Sequence, residues 1–291
     1  MSDCSRRSFL IAAGAAAQAA TGLVYAAGEE HSLKTVGVEL YTVRSLLPQK
    51  ALETLQELER IGYREAEMSS ANLDAMWAAF QQTKIKPVAM HVDTALFGPE
   101  KSTEFGALTA DAKRHGVEYL VYPYVAPNKR SGLEGMRKLA QTLNSAGERC
   151  KAAGLEFCYH NHAFEFEPME GSTPLHVLMD ETHKELVGLE MDVFWVSVGG
   201  NDPVELLKKY SGRVPLMHLK DKPAGLPVQY NESMAKTDYK EVGGGTLDFA
   251  AILRTASGVG VKHYFVEQDQ TPGDPLASLR QSFDYLRRLK F

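Results

Sequence analysis

From Lys34 to its end the chain alternates, eight times over, a short β-rich run with a helical run. The strand candidates are Val36–Thr42, Tyr63–Met68, Pro87–His91, Val117–Tyr122, Leu155–His160, Val187–Asp192, Val214–Leu219 and His263–Glu267. Between them, apolar residues at helical spacing predict helices from Pro48 to Gly62, then over Asn72–Thr83, Lys101–His115, Leu133–Ala153, Pro174–Thr182, Pro203–Tyr210 and Leu247–Ala256, with a last one over Pro275–Leu289. Strands separated by helices are parallel, and eight such units predict a closed (β/α)8 barrel of the α/β class, which takes about 250 residues. Residues 28–291 supply that length as one domain. No G-x-G-x-x-G follows the first strand, which counts against a doubly wound open sheet. The longest break, Lys222–Gly245, follows strand seven on the face where barrel active sites lie. It reads as a lid or substrate loop, or equally as a surface insertion.

Ahead of the alternation, Ser5-Arg6-Arg7-Ser8-Phe9-Leu10-Ile11 leads into an Ala-rich apolar run that continues to about Tyr25. This resembles a twin-arginine export signal, with a cleavage site at Ala26, Ala27 and Gly28. The resemblance implies a signal peptide over residues 1–27, the twin-arginine export machinery as a partner, a periplasmic location and no membrane span left after cleavage. A net charge of -5 and a pI near 6.0 imply no basic face, so no nucleic-acid partner is expected. Three cysteines make no disulfide framework. Cys4 leaves with the leader, and Cys150 and Cys158 read as buried free thiols.

A packed barrel wants apolar strands, yet the C-terminal strand ends here are polar. Strand two ends near Glu67, strand three at His91, strand five at His160 with His162 beyond, strand six at Asp192, strand seven at His218 and strand eight at Glu267. Each alone can cap a helix or satisfy a buried carbonyl. Together they converge on one mouth, where burying six polar groups is costly unless they bind something. Mixed carboxylate and imidazole groups suit a divalent ion such as Mn, Zn, Co or Mg.

The motifs Tyr159-His160-Asn161-His162, Phe164-Glu165-Phe166, Met191-Asp192-Val193-Phe194-Trp195-Val196, His218-Leu219-Lys220-Asp221 and Val266-Glu267-Gln268-Asp269 resemble the sugar phosphate isomerase/epimerase branch of the xylose isomerase-like TIM barrels. Gly37–Arg44 and Val242–Phe249 fit the same branch, and the resemblance runs from about Lys34 to the C-terminus. It implies one divalent metal held by Glu, Asp, His and Glu from strands five to eight. Asp192, His218 and Glu267 match; strand five offers His160 where the epimerases have Glu. His160 is the preferred fourth ligand, with His162 and Glu165 as alternatives. The departure weakens a symmetric two-glutamate epimerisation.

The expected activity is metal-dependent isomerisation or epimerisation of an unphosphorylated sugar or keto-sugar. Glu267, or Glu67 across the mouth, removes a proton, an enediolate forms at the metal, and Lys220 serves as acid or oxyanion partner unless it simply pairs with Asp221. Substrate contacts are assigned to His91, His162, Glu165, Trp195 and Arg44, although Arg44 could instead pair with Glu39. Phe194, Tyr41 and Phe97 are further wall candidates, each more in keeping with core. Gly243–Gly245 could cradle a phosphate, but a plain turn is preferred, since an exported enzyme meets few sugar phosphates. The alternatives are a lyase or hydrolase that cleaves keto-glycosides or dehydrates keto-inositols by enolisation and elimination, a non-catalytic periplasmic sugar-binding barrel, and a metal-dependent endonuclease, which the acidic balance disfavours. A homo-oligomer is compatible with every reading.

Overall fold

The computed structural model describes residues 31–291; the export signal expected over residues 1–27 lies outside the described residues. The strands are β1 (Gly37–Glu39), β2 (Glu65–Ser69), β3 (Lys86–His91), β4 (Tyr119–Tyr122), β5 (Glu156–His160), β6 (Gly188–Asp192), β7 (Leu216–Leu219) and β8 (His263–Val266). They pair in parallel in chain order, and β1 closes on β8 through Gly37 opposite Phe265, so the barrel is complete. The helices are α1 (Leu47–Ile61), α2 (Leu73–Phe80), α3 (Ser102–Arg114), α4 (Gly132–Ala152), α5 (Pro174–Glu181), α6 (Val193–Val198), α7 (Pro203–Lys209), α8 (Phe249–Val259) and α9 (Pro275–Leu286). Among the described residues no helix is long and apolar enough to cross a membrane.

Two elements differ from the sequence expectation, each for a local reason. β1 stops at Glu39 because the Glu39 carboxylate accepts the Tyr41 N–H at 3.1 Å and opens a 3-10 turn over Leu40–Val43. The residues after Asp192, to which the sequence pattern assigns no element, coil into α6 because the Asp192 carboxylate caps it, accepting the Trp195 N–H at 3.0 Å.

Alternation divides each strand between two environments. Outward residues join the main core under the helices. Inward residues form a small apolar plug of Val88, Ala89, Tyr119, Val121, Cys158, Leu216 and Phe265. Phe265 crosses the bore so closely that a β-carbon on Gly37 would stand 2.5 Å from its ring, which explains the glycine. Cys150 and Cys158 are free and buried. Above the plug the inward positions turn polar, with Glu39 paired to Glu67, His160 to Glu190 and Asp192 to His218.

Candidate active site

Four consecutive strands deliver one side chain each to a common point. His160 and Asp192 end β5 and β6, His218 lies in β7, and Glu267 follows β8. His160 Nε2 is 3.2 Å from His218 Nδ1 and 3.5 Å from Asp192 Oδ2. His218 Nδ1 is 2.9 Å from Glu267 Oε2 and 3.8 Å from Asp192 Oδ2. Ligands around a tetrahedral cation with bonds near 2.1 Å stand about 3.4 Å apart, in the middle of this range. The outer nitrogens are engaged elsewhere: His160 Nδ1 faces the Pro123 carbonyl at 3.2 Å, and His218 Nε2 faces Glu67 Oε2 at 2.6 Å. When each ring donates its outer N–H to those oxygens, its inner nitrogen can turn a lone pair on a cation at the common point. Without a cation, burial works against charge on the His218 ring, but Glu190 and Glu267 outweigh it and hold the ring well above its ordinary pKa. Asp192 Oδ2 is wholly buried and faces both imidazoles and the Lys220 ammonium, 2.7 Å away. Two imidazoles and two carboxylates so placed fit a divalent cation.

Lys220 leans against this quartet. Its ammonium is 2.7 Å from Asp192 Oδ2, 2.5 Å from Glu267 Oε2 and 2.7 Å from Asp269 Oδ2. Burial pushes both Asp192 and Glu267 up, but the Lys220 charge and the adjacent imidazoles outweigh it and hold both below the usual carboxylate range. Burial likewise works against the Lys220 charge, yet Asp192, Asp269 and Glu267 keep its pKa well above the usual lysine value. Asp269 goes the other way: burial, partly offset by Lys220, pushes it up to about 6.

The suggested pair of Lys220 with Asp221 does not form. Asp221 turns away and accepts five backbone N–H groups: Lys222, Thr246 and Leu247 on Oδ1 at 2.8, 2.9 and 3.0 Å, and Gly243 and Gly245 on Oδ2 at 3.1 and 2.9 Å. A β-carbon on Gly245 would collide with that carboxylate. The glycine run thus surrounds an anion belonging to the protein itself.

One layer down, Glu67, His91 and Glu190 meet the other side of the His218 ring. His91 Nε2 is 2.9 Å from Glu190 Oε2 and 3.4 Å from Glu67 Oε2, and His218 Nε2 is 3.4 Å from Glu190 Oε1. Burial, then repulsion by Glu67, lifts Glu39 well above its ordinary pKa. Glu190 is held well below the usual range, because His218 and His91 overcome the effect of burial. Glu67 therefore lies beneath the mouth, wholly buried. Glu190 was not singled out in the sequence, although it stands two residues before Asp192 on the same strand face.

Above the quartet opens a cavity of ≈450 Å³ whose lining includes His91, His162, Trp195, Arg44, Tyr124 and Glu232. Among the described residues the buried His162 Nδ1 and Trp195 Nε1 have no hydrogen-bond partner. Glu232 comes from the long break after β7 and is tied to Arg130 Nη2 at 3.0 Å. Arg44 does not pair with Glu39; its guanidinium lies 3.9 Å over the Tyr41 ring. Glu165 is not brought to the quartet: it is buried under the turn after β5, accepting from the Tyr159 hydroxyl at 2.6 Å and the His162 N–H at 2.9 Å. Phe97 lies in the core against Phe105 and Tyr122, and Phe194 is buried and stacked on Tyr239.

Fold and site together define an α/β barrel with a polar, cation-ready mouth. The chain belongs to the xylose isomerase-like TIM barrel family, whose model matches residues 51–289. It is 27% identical over 164 residues to the inosose dehydratase of Clostridium perfringens, a match covering 53% of this chain and 54% of that protein, so it spans about half the length of this relative. The structure resembles a sugar phosphate isomerase/epimerase from Parabacteroides distasonis with a TM-score of 0.71 at 22% identity, covering 91% of this chain and 97% of the other. It also resembles the IolI protein with a bound zinc atom, with a TM-score of 0.65 at 18% identity, covering 86% and 95%.

Proposed function

We propose that this protein enolises an unphosphorylated keto-sugar or keto-cyclitol and expels a β-hydroxyl as water. The observation that carries the reading is the one-sided placement of acid and base groups. Glu267, Asp269 and Lys220 stand together at the ends of β7 and β8, while the β5 side of the mouth offers imidazoles, His160 and His162. Epimerisation by two carboxylates needs one on each face of the substrate. Elimination from one face needs a base for the α-proton and a nearby acid for the departing oxygen.

Glu267, ionised through its contact with Lys220, takes the α-proton. The C–H pair becomes the enol double bond, and the Lys220 ammonium faces the oxygen that gains charge. Asp269, poised at about 6, gives a proton to the β-hydroxyl as the C–O bond breaks. Carboxylates pushed apart in pKa are a means of dividing acid and base roles. His162 and Trp195 offer unpartnered nitrogens to substrate hydroxyls. His160, Asp192, His218 and Glu267 would hold a divalent ion, of the zinc type carried by the IolI neighbour, which supplies a Lewis acid for adjacent substrate oxygens. Two further observations support the reading. The relatives include inosose dehydratases, and the glycine loop that could cradle a phosphate is filled by Asp221.

A second reading, isomerisation by one base returning the proton to the neighbouring carbon, shares the same one-sided geometry. The Arg6-Arg7 leader supports export to the periplasm by the twin-arginine machinery, and a homo-oligomer is compatible with both readings. Incubation of the metal-loaded protein with an inosose in heavy water, followed by NMR, separates them. Dehydration gives a vinylic resonance and a stoichiometric loss of hydroxyl. Deuterium entering a carbon position with all hydroxyls retained supports isomerisation. Neither change, across a panel of keto-sugars and keto-glycosides, overturns enolisation.

A further inference from the structure

We infer that the barrel holds a second divalent-cation site, below the mouth, made by Glu67, His91, Glu190 and the Nε2 atom of His218. These four side chains present ligating atoms within 4.8 Å of one another. The spacings fit a cation: 2.6 Å between His218 Nε2 and Glu67 Oε2, 2.9 Å between His91 Nε2 and Glu190 Oε2, and 3.4 Å for both His91 to Glu67 and His218 to Glu190. Reaching the tetrahedral separation of about 3.4 Å needs an expansion of less than 1 Å.

The second observation is unmet polarity. Among the described residues Glu190 Oε1, buried and facing His218 at 3.4 Å, accepts no hydrogen bond, and Glu67 Oε1 and the neighbouring Glu39 Oε2 are also buried without partners. Buried carboxylate oxygens left this way cost free energy that a bound cation would recover. Three glutamates from β1, β2 and β6 at one level are more acid than structural packing calls for, since the apolar plug already fills the bore beneath them. An entry path exists, because His91 lines the mouth cavity and its side chain keeps 16% exposure.

His218 belongs to both groups, one nitrogen to each. With both sites filled its ring bridges the two cations, and the N–H proton now shared with Glu67 leaves to solvent. The inference does not depend on which reaction the mouth performs.

The test is a metal count on the full chain, stripped with chelator and titrated with Co²⁺, whose visible absorption reports each nitrogen-and-oxygen site. Wild type should take two equivalents. His91→Ala and, as a milder variant, His91→Gln should each take one, and so should Glu190→Gln, with circular dichroism confirming the fold. His160→Ala should lose the mouth ion and keep the deep one. A single equivalent that survives His91→Ala overturns the deep site and leaves the mouth site standing. A single equivalent lost in His91→Ala but kept in His160→Ala supports the deep site and sinks the mouth assignment. Two equivalents in the double variant His91→Ala/Glu190→Gln, or none in wild type, overturn the inference.

Discussion

Lys220 Nζ and Glu267 Oε2 stand 2.5 Å apart in a site where both side chains are nearly closed to solvent. The ammonium also neutralises Asp192 and Asp269, so without a metal the lysine is the principal counter-charge of the mouth. Lys220→Met removes it and leaves the buried Asp192 and Glu267 and the partly exposed Asp269 facing one another. Breaking a buried pair this way costs about 3–5 kcal/mol. The chelated variant should lose stability by that order in a urea titration, and saturating Zn²⁺ should restore more of it than Zn²⁺ adds to wild type. Equal stabilisation of the two proteins by metal would mean that the lysine and the cation do not answer to the same carboxylates.

Glu165 supplies a pH dependence away from the mouth. Burial pushes its carboxyl up to about 8, against the pull of its bonds to Tyr159 and to backbone N–H groups. An unfolded glutamate titrates near 4.3. Between those values the folded chain keeps a proton that the unfolded chain has released, so stability falls as pH rises, by about 1.4 kcal/mol per unit, and levels off above 8. Glu165→Gln keeps the shape of the protonated acid. Its carbonyl can accept the His162 N–H while its amide donates to the Tyr159 hydroxyl. Urea melts at pH 6 and pH 9 should show a smaller drop for the variant than for wild type; parallel drops would place the titration elsewhere.

Asp221 carries a third expectation. Its carboxylate accepts five N–H groups, from Lys222 at the start of the long break and from Gly243, Gly245, Thr246 and Leu247 at its end, and so ties the two ends together. Asp221→Ala strands all but the Thr246 N–H, which keeps the Lys222 carbonyl at 3.0 Å, at a cost of at least about 3 kcal/mol, since bonds to a charged acceptor are among the stronger ones. The emptied ring is also a backbone anion nest. Sulfate stabilises folded proteins in general, so the discriminating quantity is the extra gain of the variant over wild type at equal sulfate. No extra gain would show that the turn collapses when its internal anion is removed.

Much of the architecture is legible in the chain, because helix and strand periodicities do not resemble each other and glycine marks most of the helix ends. The barrel, the strand order and the meeting of His160, Asp192, His218 and Glu267 follow from residues at strand ends. What escaped depends on depth and distance. Glu67 reads as a mouth residue, but the register shifts between Ala66 and Glu67 where β2 pairs with β3, and the side chain lies in the layer below. Glu190 was legible by alternation, two residues before Asp192, yet inside a run that reads as an apolar strand. Asp269 lies past the end of β8, where a strand pattern gives no direction. Glu232 and Arg130 are 102 residues apart, and only the closed fold brings them together.

That last contact bears on how the mouth is covered. Arg130 donates its Nε–H to the Val125 carbonyl at 2.9 Å, lies 3.6 Å over the Phe164 ring and holds Glu232 at 3.0 Å. The Tyr124 hydroxyl reaches the same carboxylate at 3.3 Å. A partly buried ion pair, whose side chains are 16% and 20% exposed, is thus one of the ties that hold the segment after β7 beside the cavity. Arg130→Ala frees Glu232, and the substrate must then order the segment at its own expense. A loss of about 1.4 kcal/mol in ground-state and transition-state binding alike is a tenfold rise in KM with kcat little changed. Steady-state kinetics on the substrate found by NMR would show that split. A fall in kcat at constant KM would instead put Arg130 in the chemistry, and unchanged kinetics would mean that the segment is held over the site by its other contacts, chiefly Tyr239 against Phe194.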